Sequence, residues 1–134
     1  MSGTLRPSML SEQECLRLLG SVAAGRLVYT ARALPAVLPA RHAVVGRVLV
    51  VVVDDDDGIA RAVLPGAVVA YESEGPAPDG DVAWYVTAWG VARFVRASTH
   101  PPLPAQPRED AQDGCAKLEV RIEVLAARGR RTAG

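Results

Sequence analysis

VLVVVVDDDDGIARAV, residues 48–63, sets six aliphatic residues against four consecutive aspartates, and both the fold and the binding chemistry turn on how it is read. The apolar run does not alternate with polar residues. A strand of this kind is buried on both faces, here with one face inside a barrel and the other beneath another element or subunit. The aspartates then end the strand in a solvated turn, with Asp56 or Asp57 placed to cap the helical turn that GIARAVLPG (58–66) can form before Pro65 and Gly66 stop it. A calcium loop of the EF-hand type does not fit. With Gly58 at its sixth position, Val53 and Leu64 fall where the first and twelfth ligands belong. Consecutive strand side chains also point to opposite faces, so Asp54 to Asp57 do not converge on one ion, and no metal is expected.

Working outward, the flanking segments carry the same β texture. GRLVYTA (25–31), LPAVLPARHAVV (34–45), RVLVVVV (47–53), AVVAYES (67–73), VAWYVTA (82–88), GVARFVR (90–96) and KLEVRIEVL (117–125) read as strands, with Gly, Pro and Asp breaking them at intervals of roughly ten residues. This spacing predicts a mainly β, antiparallel sheet or barrel in place of alternating βα units. Leu118, Val120, Ile122 and Val124 alternate with polar neighbours, which gives the last strand one wet face. THPPLPAQPREDAQDG (99–114) reads as a loop. Before the strands, LSEQECLRLLG (10–20) is a short amphipathic helix. Ser11 and Glu14 form a capping box, Leu10 and Cys15 have staple spacing, and Gly20 supplies a left-handed stop.

The chain of 134 residues is expected to fold as a single domain, residues 1–134, with its core in 10–96 plus the strand 117–125. Its 15 basic and 15 acidic residues cancel, so no global field favours nucleic acid or an anionic membrane. All the basic residues except Lys117 are arginine, a bias that suggests codon usage. Cys15 and Cys115 stand far apart without metal spacing and read as free thiols in a reducing cytoplasm. The longest aliphatic run is roughly a third of the ~20 residues a membrane span needs. His42, beside Arg41 in a strand, is a candidate pocket residue, and His100 belongs to the loop. No nucleotide-binding, metalloprotease or nucleophile-elbow motif is present, and no catalytic residue is identified.

The order of the pieces resembles the pyridoxamine 5'-phosphate oxidase-like proteins, the FMN-binding split-barrel family. The likeness runs over residues 10–96. It consists of E-C-L-x-L-L in the helix, G-R-L opening the first strand, L-P-x-x-L-P-A after it, then V-A-Y-E and A-W-Y-V-T-A-W-G, with GRR at 129–131 similar to the family's closing motif. The resemblance implies a six-stranded antiparallel split β-barrel with a short N-terminal helix, a homodimer formed through a barrel face with Val48 to Val53 near the interface, and FMN in the dimer cleft. It also implies a flavin-dependent oxidoreductase. The cofactor-contacting positions it suggests are Pro39, Arg41, His42, Val53, Asp54, Ile59, Arg61 and Trp84.

Relatives in this family end the strand at Val52–Asp54 with F-R-T and follow it with G-S-K, and those side chains grip the FMN phosphate. Here Val52, Val53 and Asp54 stand in the first triplet, and Asp57, Gly58 and Ile59 in the second. Carboxylates near a phosphate add repulsion and supply no donors. The expectation is therefore FMN binding that is weak or lost, with Arg41 or Arg61 as substitutes for the missing cations. The alternative is a non-catalytic dimeric barrel that binds another small ligand or a protein partner. The chain offers no second basic cluster for a substrate phosphate, which argues against oxidation of pyridoxamine phosphate itself.

Overall fold

The computed structural model describes residues 8–54, 58–76, 82–96 and 117–131. Its elements are β1 (Ser8–Met9), α1 (Glu12–Leu19), β2 (Ala24–Ala31), β3 (Leu34–Val45), β4 (Val48–Asp54), α2 (Ile59–Ala62), β5 (Val68–Pro76), β6 (Val82–Arg96) and β7 (Lys117–Arg131). The sheet runs β1-β7-β4-β3-β2-β5-β6, and a further β6–β7 pairing closes it. Six antiparallel strands thus form a barrel, with β1 added as a two-residue edge on β7. The segments 82–88 and 90–96 are one strand, with a register shift at Trp89/Gly90 where it bends around the barrel.

Strand alternation fills the barrel. On β4, Leu49, Val51 and Val53 point inward and are buried, while Val48, Val50 and Val52 face out and stay half-buried. The expected burial of both faces is therefore met on one face only within a single chain. On β7, Leu118, Val120, Ile122 and Val124 enter the core, but the opposite face is not uniformly wet. Glu119 is buried there, accepting a 2.8 Å hydrogen bond from Arg121 Nε.

The connections follow hairpin rules with one exception in residue choice. Ala31 pairs with Leu34, so Arg32 and Ala33 make a two-residue turn, both in the left-handed region at φ 54° and 66°. That is the backbone of a type I′ turn, which suits strand twist but normally takes Asn and Gly. The turn after β3 uses Gly46 at φ 62°. The N-cap of α2 is Gly58, which offers no side chain; Asp55, Asp56 and Asp57, expected to form the turn and cap, lie outside the described residues, as do the 99–114 segment and Cys115.

Helix α1 begins as the sequence predicts, with the Ser11 side chain accepting from the Glu14 amide at 3.1 Å. Its end differs. Gly20 is right-handed (φ −69°), and the last carbonyls are satisfied by other groups. Leu18 O accepts from the Ser21 amide and hydroxyl, and Leu19 O accepts from the Val22 amide and from His42 Nε2 at 2.8 Å. Because a carbonyl only accepts, Nε2 carries the proton, and Nδ1 accepts from the Tyr71 hydroxyl at 2.6 Å. Tyr71 reaches this position past Gly25, where a Cβ would lie 2.7 Å from its hydroxyl. Gly129 O receives the Leu10 amide, and Arg131 and Arg47 pair with Glu14 and Glu12, so α1 is tied to the barrel at both ends.

Two outcomes follow from these contacts. Replacing Ala33 by Gly relieves a left-handed alanine and should raise unfolding stability by about 1 kcal/mol, measured by urea denaturation. His42 is buried, and burial pulls its pKa below 6.5, with Arg41 adding to the lowering and the Leu19 carbonyl opposing it. The unfolded chain thus takes up a proton that the native state resists. The stability is fully present above about pH 6.5 and is lost as pH falls toward and through the folded value. Denaturation curves at about pH 7.5 and pH 5.5 should show this loss, and His42→Gln should remove His42's share of it.

Candidate functional site

The strand register brings three strands to one cavity. Arg41 on β3 pairs with Val52 on β4, and Asp54 at the end of β4 pairs with Lys117 at the start of β7. Together with Pro39, Ala40 and Val53 these residues line a cavity of about 210 Å³ on the barrel wall. Pro39, Ala40, Val52 and Val53 make its apolar side. Among the described residues, its ionisable groups are Arg41, Lys117 and Asp54. Lys117 Nζ lies 2.8 Å from Asp54 Oδ1, and both side chains remain partly exposed, at 33% and 47%. Two cations and one carboxylate thus stand together on an apolar wall reachable from solvent.

The structure brings four of the sequence-suggested residues together here: Pro39, Arg41, Val53 and Asp54. The other four lie elsewhere. His42 follows Arg41 along the strand and so points the opposite way, into the core, where both ring nitrogens are already engaged. Ile59, to which the resemblance gave a cationic position of the family, is a core residue at 1% exposure. Arg61 is exposed on α2, and the cavity lining does not include it. Trp84 is buried against Gly75 on the neighbouring strand, where an added Cβ would meet the indole at 2.5 Å. Its ring fills the barrel and does not border the cavity.

Lys117 is the residue that the sequence reading passes over. It is the lone lysine of the chain, and only the β4–β7 register carries it to Asp54. That register spans more than sixty positions of sequence and cannot be read from local pattern.

The remaining polar clusters offer less. Arg26 bonds Glu72 at 3.0 Å and also pairs with Glu74, beside a cavity of about 250 Å³ bordered by Tyr85 and Thr87. These pairs hold the arginine charged and lower the Glu74 pKa. Cys15 is free and fully buried, and burial pushes its thiol pKa up. Among the described residues no three His, Cys, Asp or Glu side chains gather as metal ligands, and no helix is long and apolar enough to cross a membrane.

Comparison with known proteins agrees with the barrel. An uncharacterised protein of Mycobacterium tuberculosis is 38% identical over 90 residues, a match covering 64% of this chain and 59% of the relative, so this chain spans under two thirds of that relative's length. The structure of an FAD-binding protein from Mycobacterium smegmatis superposes with a TM-score of 0.67 at 24% identity, covering 96% of this chain and 100% of the other. A candidate pyridoxamine 5'-phosphate oxidase from Corynebacterium glutamicum gives 0.69 at 24% identity, with 97% of each chain covered. At these identities the structures establish shared fold. The family model for pyridoxamine 5'-phosphate oxidase matches residues 11–131, nearly the full length of the described barrel and its helix, and the chain belongs to that family.

Proposed function

We propose that the chain is a flavin-binding split-barrel protein, a flavin-dependent oxidoreductase that seats the phosphate end of its cofactor between Arg41 and Lys117. The observation that carries this reading is that those two cations line one cavity at the end of β4, where the resemblance implies a phosphate grip. Arg41 offers a planar fork of donors and Lys117 a compact charge, and the apolar side strengthens both by excluding water. The similar Mycobacterium smegmatis protein binds FAD, which supports a flavin in general terms. When bound, the flavin would supply the redox chemistry, and the chain's part is to hold, orient and desolvate it.

A cavity of about 210 Å³ is smaller than the roughly 300–1,000 Å³ that a drug-sized ligand fills. The rest of the cofactor would lie along the adjoining outer face of β3 and β4. There Val48, Val50 and Val52 are half-buried and Val45 is exposed, so a second copy of the chain covering this face would complete both the site and the burial. A second reading, a non-catalytic barrel that takes another small ligand or a protein partner, is favoured by the Asp54 carboxylate inside the cavity.

Fluorescence titration separates the two. The expected outcome is saturable binding of FMN or FAD with a dissociation constant on the order of micromolar, weakened about tenfold or more by Lys117→Ala or Arg41→Ala. Absence of binding by both flavins up to about 100 µM rejects the flavin reading in favour of the second. For the assembly, size exclusion with light scattering should give twice the 14.1 kDa chain mass. Val50→Asp, on the outward face, should yield a folded monomer, whereas Val51→Asp would bury a charge in the core and unfold the chain.

A further inference from the structure

We propose that the outer face of β6 is a contact surface for a second copy of this chain, in which Glu72 and Glu74 of each copy meet Arg128 and Arg130 of the other. The sheet register sets these side chains in level rows across three strands. Glu72 on β5 pairs with Thr87 on β6, and Thr87 pairs with Arg128 on β7. One row along, Glu74 pairs with Tyr85, and Tyr85 with Arg130. Ser73, Val86 and Gly129, which alternate with these residues, are buried, so the two rows point outward. Thr87 and the exposed Tyr85 form a central ridge, with carboxylates along one flank and guanidinium groups along the other.

The flanks differ in how far their charges are already matched. On the acidic flank, Arg26 of β2 donates to Glu72 at 3.0 Å and also pairs with Glu74. One guanidinium against two carboxylates leaves a net negative charge, and both glutamate side chains stay partly exposed. On the basic flank, Arg128 and Arg130 are exposed and neither forms an ion pair among the described residues, whereas the adjoining Arg131 is held by Glu14. Two strand spacings, about 10 Å, separate the flanks.

A twofold axis laid along β6 exchanges the flanks and keeps each row level. Glu72 of one copy then falls over Arg128 of the other, Glu74 over Arg130, and Tyr85 over Tyr85. The cavity of about 250 Å³ on the acidic flank, bordered by Glu72, Glu74, Tyr85 and Thr87, gives the facing arginine side chains room to enter. A polyanion such as nucleic acid fits less well, because the carboxylates across the ridge repel it. The chain's own face, turned over, presents the reversed order of charge. The matched patch is two rows deep and three strands wide, on the order of 200 to 300 Å². That is well below the roughly 800 Å² per partner of a stable interface, so the contact is weak and sensitive to salt. In the closed sheet β6 lies across the barrel from β3. The contact therefore leaves the β3–β4 face free for its own partner and links such pairs into rows.

Sedimentation velocity tests this at about 10 µM and about 500 µM protein, in about 20 mM and about 500 mM sodium chloride, between which the screening length falls from roughly 20 Å to roughly 4 Å. The weight-average mass should rise with concentration at low salt and return toward its dilute value at high salt. Arg130→Glu and Glu74→Arg should each weaken the association about tenfold or more. Both substitutions in one chain should restore it, because the facing pair re-forms with reversed sign at the original net charge. Arg61→Glu makes the same charge change on the exposed side of α2 and should leave the association intact. Thermal melting verifies folding, and Arg128→Gln with Arg130→Gln, which should also weaken the association, replaces any reversal that does not fold. A mass independent of concentration and salt overturns the proposal. So does a rise that survives Arg130→Glu, or one that Arg61→Glu cancels equally, which marks general charge-driven association. Loss in both single variants without recovery in the double also overturns it, since the two flanks would then meet other residues.

Discussion

Strand β7 pairs with β4 along one edge and β6 along the other, and this double pairing is the constraint on which the molecule depends. It closes the sheet, so the long strands of a mainly β chain leave few unpaired backbone groups for water or a neighbour to claim. The same strand receives β1 and the Leu10 amide near its end, which fixes the helix across the barrel. At its beginning it delivers Lys117 to Asp54. Closure, helix docking and the composition of the cavity are therefore consequences of one register.

Within that frame the two-residue period of a strand assigns roles to neighbours. Arg41 and His42 are adjacent in sequence and separate in environment: the arginine borders the cavity, and the histidine is sealed between Tyr71 and the end of α1. Proximity in sequence thus groups a cavity-lining residue with a core residue. Val52 and Val53 divide in the same manner, except that the cavity lies where the strand ends and both contribute to its wall.

Much of the barrel was legible because its signals are local. The strands 25–31, 34–45 and 48–53 are bounded by turns whose length is visible in the sequence, and the Ser11–Glu14 capping box marks the helix start unambiguously. What was illegible depended on tertiary context. Gly20 reads as a left-handed stop, yet Ser21, Val22 and His42 satisfy the helix end without one. Arg32 and Ala33 occupy a turn that their side chains disfavour, because the strands on either side dictate its length. Ile59 was placed at the cavity by its position in a motif, but the short helix turns it into the core. Pro39, Arg41, Val53 and Asp54 share one cavity because strand neighbours in the sequence stay neighbours in the sheet, and Lys117, which also lines it, was hidden by distance along the chain.

The absence of a side chain at Gly25 extends further than its own strand. Because nothing projects from that position, the Tyr71 ring can lie against the β2 backbone and carry its hydroxyl to His42, which in turn holds the last carbonyl of α1. The seat of the helix is thus set by an empty volume two residues removed from it, passed along as a relay of one ring, one hydroxyl and one imidazole. A methyl group at position 25 would displace the first member of that relay, and the displacement would be felt at the helix end, where no atom of residue 25 is present.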